Sequence, residues 1–361
     1  MRGKKSGLET RLRERAPQLL DIDGDSVHHA HNAAKAFSAP FQYHLESLFN
    51  SLHSDFHWST DLGSELKSVC QILNIKYSVP ERFTSHRFLN AYNLAVDTAR
   101  LLDAFTIFYF FFLTKEEQKK YRSLYESILN RRKVSDSSRQ ELQNIGKRLS
   151  QKKMTKDGEQ RKQRILMKLF NSRTVTRMML GIYMSALITL KDYAVLFQKK
   201  APMLHMLNGE QSRLVRNFIG FFVKPQCIPA TTKKLKQMKF EEETLLPLND
   251  MFMGAVANKL ATTSKCTDIN MVLLMLRTAY IKAGKVLIEK MPIDNSLLKS
   301  CSAIDPSARV HSETIKCLKN LPVLVTGILS DEEEEAYMSE IFKYQLDPTL
   351  PDFDSKSRID R

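Results

Sequence analysis

Apolar residues recur along this chain at the three- and four-residue intervals of amphipathic helices. Phe37, Phe41, Leu45, Leu48 and Phe49 fall on one face of a helix that starts near Val27 and runs past Leu48. A second helix fits 59–73, with Thr60 and Asp61 as capping candidates in its first turn, and 74–80 reads as an extended connector. Ser85 opens a long apolar helix through Leu113. Its most apolar part, 101–113, contains Asp103 and is shorter than the ~20 residues that span a bilayer, so it reads as a buried helix. Thr114 followed by Lys115, Glu116 and Glu117 has the form of a helix N-cap with acidic early positions, and a new helix is expected there.

Beyond that cap the pattern thins. Leu124, Ile128, Leu142, Ile145 and Leu149 are sparse apolar positions in a polar stretch, and 152–163 has almost none except Met154, which predicts a flexible loop. Periodicity returns at 167–197, a central helix ending before Pro202, and at 211–223, closed by Pro225. The interval 226–239 is basic and irregular and reads as a second loop. Helices are expected over 248–260, over 268–290 (stopped by Pro292), over 310–318 and over 331–344, the last opening on an acidic run at Asp331–Glu335 that suits a helix N-terminus. The divisions that follow are a disordered basic lead at 1–17, a junction strand and first helices at 18–114, a basic helix and loop at 115–168, a helical body at 169–346 and a disordered tail at 347–361.

Composition changes this picture little. With 361 residues, 43% of them hydrophobic and 26% charged, the chain has ample material for a buried core. Glycine and proline, 12 of each, are few, which favours an all-α architecture. Cys70, Cys227, Cys266, Cys301 and Cys317 are odd in number and form no Cys-x-x-Cys pair, so they read as reduced thiols in a reducing compartment. The start of the chain has the charge of Arg2, Lys4 and Lys5 but no apolar core of a secretory signal.

Four short segments carry a family resemblance. Around Gly24, the stretch Asp21-Ile22-Asp23-Gly24-Asp25-Ser26-Val27-His28-His29-Ala30-His31 resembles the Cys-x-x-His junction of hAT-superfamily transposases, with Asp25 at the cysteine position and His28 retained. Ser85-His86-Arg87-Phe88-Leu89 resembles their Ser-His-Arg-Trp-Leu element, with Phe88 in place of tryptophan. Leu196–His205 is similar to the Phe-Gln-x-x-x-Pro-Met segment, and 291–309 to the Pro-x-x-Asn-x-Leu-Leu and Leu-Asp-Pro elements. The resemblance implies a mainly α fold, the helical-bundle insertion of an RNase H-like transposase, with at most a short residual strand near residues 18–23. It also implies that the catalytic carboxylates lie outside the chain, and hence a catalytically incomplete, transposase-derived nuclear protein. Gly24, His28 and His31 would form the structural junction, with no metal held there.

The net charge of +15 supplies the expected chemistry. Within 115–168, Lys and Arg outnumber Asp and Glu by ten. Cations on phosphates release condensed counterions and give salt-sensitive, low-specificity DNA binding. The candidates are Arg87 and Phe88, the latter able to stack on an unpaired base, with Arg131, Arg132, Lys133, Lys152, Lys153, Arg161, Lys162 and Arg164, and a second group at Lys233, Lys234 and Lys236. For the Lys and Arg residues a solvated face or a nuclear import signal is the plainer reading, and for Phe88 a place in the core. No Gly-x-Ser-x-Gly elbow or Gly-rich phosphate loop is present, so neither enzymatic activity nor a cofactor is expected, and no membrane association. Two further readings stand beside DNA binding. One is a nuclear helical scaffold that binds another protein or a second copy of itself, using the acidic run at 331–335 or an exposed face of 101–113. The other is a non-functional fragment of a larger transposase-like protein.

Overall fold

The computed structural model describes residues 8–16, 25–198, 203–263 and 268–347. Seventeen α-helices follow one another among these residues. They are α1 (Leu8–Arg15), α2 (Ser26–Ser38), α3 (His44–His57), α4 (Thr60–Ile72), α5 (Asn90–Phe110), α6 (Lys115–Lys120), α7 (Arg122–Arg131), α8 (Asp136–Ser150) and α9 (Lys156–Leu166). After a π-helical turn at Met167–Asn171 come α10 (Arg173–Phe197), α11 (Leu204–Ile219), α12 (Thr232–Lys236), α13 (Gly254–Thr263), α14 (Ile269–Lys290), α15 (Ser296–Cys301), α16 (Thr314–Leu324) and α17 (Asp331–Leu346). Extended pairing among the described residues amounts to one isolated antiparallel bridge, Val223 to Leu245.

The helical periodicity is therefore realised, but the RNase H-like assignment is not. That fold is organised round a central β-sheet, and the described residues contain no strand. The short strand expected near 18–23, and Gly24 with it, lies outside the described residues, as do 348–361 of the expected tail.

Two compact units divide the chain. One comprises residues 31–192 and 246–283. Here α3 packs on α9, α4 on α5, and α5 on α7. Phe37 and Phe41 of the α2 region meet Tyr183 of α10 and Tyr280 of α14 in an aromatic centre, with ring centroids 5.3 to 6.0 Å apart. Tyr280 donates its buried hydroxyl to the Phe252 carbonyl at 2.6 Å, so the phenol is satisfied without water. By length and composition α10 is apolar enough to cross a membrane. Met178, Ile182, Ala186, Leu187 and Leu190 of this helix are fully buried in the unit, as core residues are.

The other unit comprises residues 1–30, 193–245 and 284–361. In it α11 packs against α15, α15 against α16, and α16 against α17. Phe222 and Phe240 lie 5.0 Å apart and close over Gly284, where an added Cβ would come within 2.9 Å of the Phe222 ring.

Local chemistry explains where the helices begin. Asp25 Oδ1 accepts from the backbone N–H of Val27 and of His28 at 2.9 and 3.2 Å, an N-cap of α2. Thr114 and Glu117 form a reciprocal capping box at the head of α6, where the sequence predicts a helix start. Thr155 caps α9 by accepting from Gly158 N–H at 3.2 Å. This last helix occupies much of 152–163, for which the sparse apolar pattern predicts a loop. Its buried face is completed by Lys162, a residue that hydropathy patterns count as polar. Likewise α1 occupies the later part of the lead expected to be disordered, and α12, capped by Thr231, interrupts the loop expected at 226–239.

Candidate functional site

Three carboxylates buried in the unit of residues 31–192 and 246–283 organise its charge. Asp55, on the inner face of α3, is almost fully buried. It accepts from Arg161 Nε at 2.6 Å, Lys162 Nζ at 2.8 Å and the Tyr109 hydroxyl at 2.8 Å. Lys162 Nζ also lies 4.6 Å from the centre of the Phe112 ring, a cation–π contact in a dry setting. Asp103, the single charge in the most apolar part of α5, accepts from Arg131 at 2.7 Å and from Arg132 Nε and Nη2 at 3.0 and 2.8 Å, with Arg173 3.8 Å away. Burial alone would raise its pKa, but the hydrogen bonds and charge of Arg132 and Arg131 outweigh that and hold it below the usual carboxylate range.

The third carboxylate, Glu46, sits near the π-helical turn. It accepts from the Tyr183 hydroxyl at 2.8 Å, and burial raises its pKa. In the turn itself the Ser172 N–H reaches the carbonyl of Met167 at 2.8 Å, five residues back. The turn delivers Lys168 to the start of α3, where its ammonium donates to the His44 carbonyl at 2.6 Å and to the Ser47 hydroxyl. Burial lowers Lys168 to about 8. His44 Nε2 is 2.9 Å from Thr176 Oγ1, and that hydroxyl donates to the Lys168 carbonyl at 2.9 Å. The hydroxyl's one proton being committed, His44 must be the donor, as the neutral Nε2–H tautomer. Burial, reinforced by the Lys168 charge, lowers His44 to about 4. Such groups mark functional sites in many proteins; here Lys168 and His44, with Thr176, tie the turn to α3 and α10, and Glu46 bonds Tyr183 of α10.

These contacts decide the surroundings of the basic residues singled out above. Arg131 and Arg132 converge on Asp103; Arg161 and Lys162 converge on Asp55; Lys152 pairs with Asp61 at 3.1 Å. Arg87, Lys133, Lys153 and Arg164 are exposed. Lys236 donates to the carbonyls of Glu289 and Met291 at 3.2 and 2.7 Å, at the C-terminal end of α14, while Lys233 and Lys234 are exposed. Phe88 is buried edge-on against Phe83 at 5.0 Å, a core aromatic with no face presented to a base. His28 is exposed, and His31 Nδ1 accepts from the Leu89 N–H at 3.3 Å. Among the described residues no group of three or more His, Cys, Asp or Glu side chains converges as a metal site would.

An exposed surface that the sequence reading missed lies on α17. Tyr337, Ile341 and Tyr344 turn toward α16, joining Ala303 and Leu318 in a small core, and Tyr337 donates its hydroxyl to the Leu318 carbonyl at 2.9 Å. Met338, Phe342 and Leu346 follow four residues apart on a second face about 100° round the helix. They are 37%, 46% and 78% exposed. Ser339, Phe342, Lys343, Leu346 and Asp347 line an open depression on that face. The acidic residues Asp331 to Glu335, all exposed, adjoin it at the head of the helix. The 101–110 stretch of α5, by contrast, is buried throughout, so it offers no docking face.

Comparison with known protein families, with curated proteins and with solved structures finds no match for this chain. The hAT-transposase resemblance is thereby corrected. Its motif matches have ordinary local explanations, with Asp25 capping α2 and Phe88 filling a core, and neither the sheet nor a related fold accompanies them. The transposase-derived function falls with the resemblance, and among the comparisons no DNA-reading motif or related fold stands in for it.

Proposed function

We propose that this protein is a helical interaction scaffold whose α17 docks an amphipathic helix of a partner protein. The observation that carries the reading is the second apolar face of α17. A helix packed on one neighbour needs one apolar stripe, and this one has another, formed by Met338, Phe342 and Leu346, that α16 covers only in part, Lys319 lying 4.7 Å from the centre of the Phe342 ring. Helix-in-groove recognition uses anchors at this spacing. The acidic head of α17 stands out in a chain of net charge +15 and selects for lysine and arginine beside the partner's apolar stripe.

Selection of helical peptides from a displayed library against the full-length chain tests this. Enriched peptides are expected to combine an apolar i, i+4 stripe with basic flanks, and Phe342→Asp or Leu346→Asp is expected to abolish binding while leaving the helical circular dichroism unchanged. Failure to enrich such peptides, binding indifferent to both substitutions, or a dimer that Leu346→Asp disperses would each overturn the proposal, the last by making a second copy the occupant.

A further inference from the structure

The C-terminal end of α3 presents three rings in succession. His53 and His57, four residues apart, stack with centroids 4.7 Å apart and planes 26° from parallel. The His57 ring in turn meets Trp58 edge-on at 4.5 Å. His57 and Trp58 are exposed, the latter by 82%, and His53 is half-buried. His53 Nδ1 lies 2.9 Å from the carbonyl oxygen of Pro80. A carbonyl oxygen only accepts, so Nδ1 carries the proton and the lone pair of the neutral ring resides on Nε2. Orientation of a histidine by a backbone carbonyl on its far nitrogen is how proteins prepare an imidazole for a metal ion. The i, i+4 spacing is the one by which helices present two histidines to zinc.

We infer that His53 and His57 form a surface site for a late first-row divalent cation, held through Nε2 of His53 and a ring nitrogen of His57, with water completing its coordination. Metal–nitrogen bonds of about 2.0 to 2.1 Å set tetrahedral ligand nitrogens about 3.4 Å apart, closer than the stacked centroids. His57, exposed at the end of the helix, supplies the movement by rotating toward His53. That rotation changes its contact with Trp58, the only tryptophan of the chain, so the protein carries its own reporter.

The test is titration of the full-length chain with Ni²⁺ while Trp58 emission is followed. Quenching is expected to saturate at one equivalent, to reverse with a chelator or on displacement by excess Zn²⁺, and to vanish on acidification, since an imidazolium has no lone pair to offer. His57→Ala is expected to weaken binding by more than the roughly 10- to 100-fold that loss of an outer-shell partner costs. His311→Ala, at another exposed histidine, is expected to change nothing. Quenching that never saturates, persists in His57→Ala, or is removed by His311→Ala overturns the assignment.

Discussion

His44 is held neutral by its surroundings, and this makes the protein's stability depend on acid. Its folded-state pKa is lowered to about 4 from an ordinary 6.5. Between those values the unfolded chain takes up a proton that the folded one refuses. The stabilisation is complete above 6.5 and is lost as pH falls toward 4, a change of about 3 kcal/mol. Urea unfolding at pH 7 and pH 4.5 is expected to show this loss, and His44→Gln is expected to shrink it. Asp55 tests a different balance. Asp55→Ala strands Lys162 in the interior and is expected to cost about 3 to 5 kcal/mol, whereas the double change Asp55→Leu with Lys162→Met, which removes both charges, is expected to recover most of that in the same unfolding assay. Neither arrangement was legible in the sequence. Asp103 stood out as a lone charge in an apolar run, but its arginine partners lie 28 and 29 positions away, and Asp55 meets Arg161 across 106. Local patterning carries no information at such separations.

Elements were more readable than contacts. Helices with a single apolar stripe, such as α3, and starts marked by a reciprocal cap, such as Thr114 with Glu117, follow from residue order because their determinants lie within one or two turns. The reading failed at α9, where Lys162 takes a core position by pairing with Asp55. It failed again at 248–260, where the start of α13 is set by one backbone conformation. Gly254 has φ of +78°, and a Cβ there would fall 1.7 Å from Ser185 Oγ. Gly254→Ala meets both the left-handed strain and the clash, and is expected to destabilise the protein by more than about 1 kcal/mol, read as a lower melting temperature. Gly209, in the middle of α11 with open space round it, serves as the control; Gly209→Ala is expected to raise stability by up to about 1 kcal/mol.

At the scale of the whole molecule, net charge is a poor guide to where cations lie. A net charge of +15 suggests a surface laid out for phosphates, yet the densest basic segment spends Arg131, Arg132, Arg161 and Lys162 on two buried carboxylates. Net charge counts residues and says nothing of where they point. The α17 surface was hidden for the related reason that its stripe is as apolar as a core stripe. Only the position of α16 shows which of the two faces is covered. Partner binding at α17 is expected to weaken only moderately from 50 to 500 mM salt, because apolar anchors are not screened and the acidic head alone is. Calorimetry across that range with a selected peptide would show it, and a collapse of affinity would mean that charge does most of the holding.

The π-helical turn has a consequence for changes of length. A hydrogen bond from Ser172 back to Met167 holds one residue more than an α-helical turn would. Removing one residue between them would rotate the side chains before the cut by about 100° relative to those after it, and the ammonium now fastened to the head of α3 would point elsewhere.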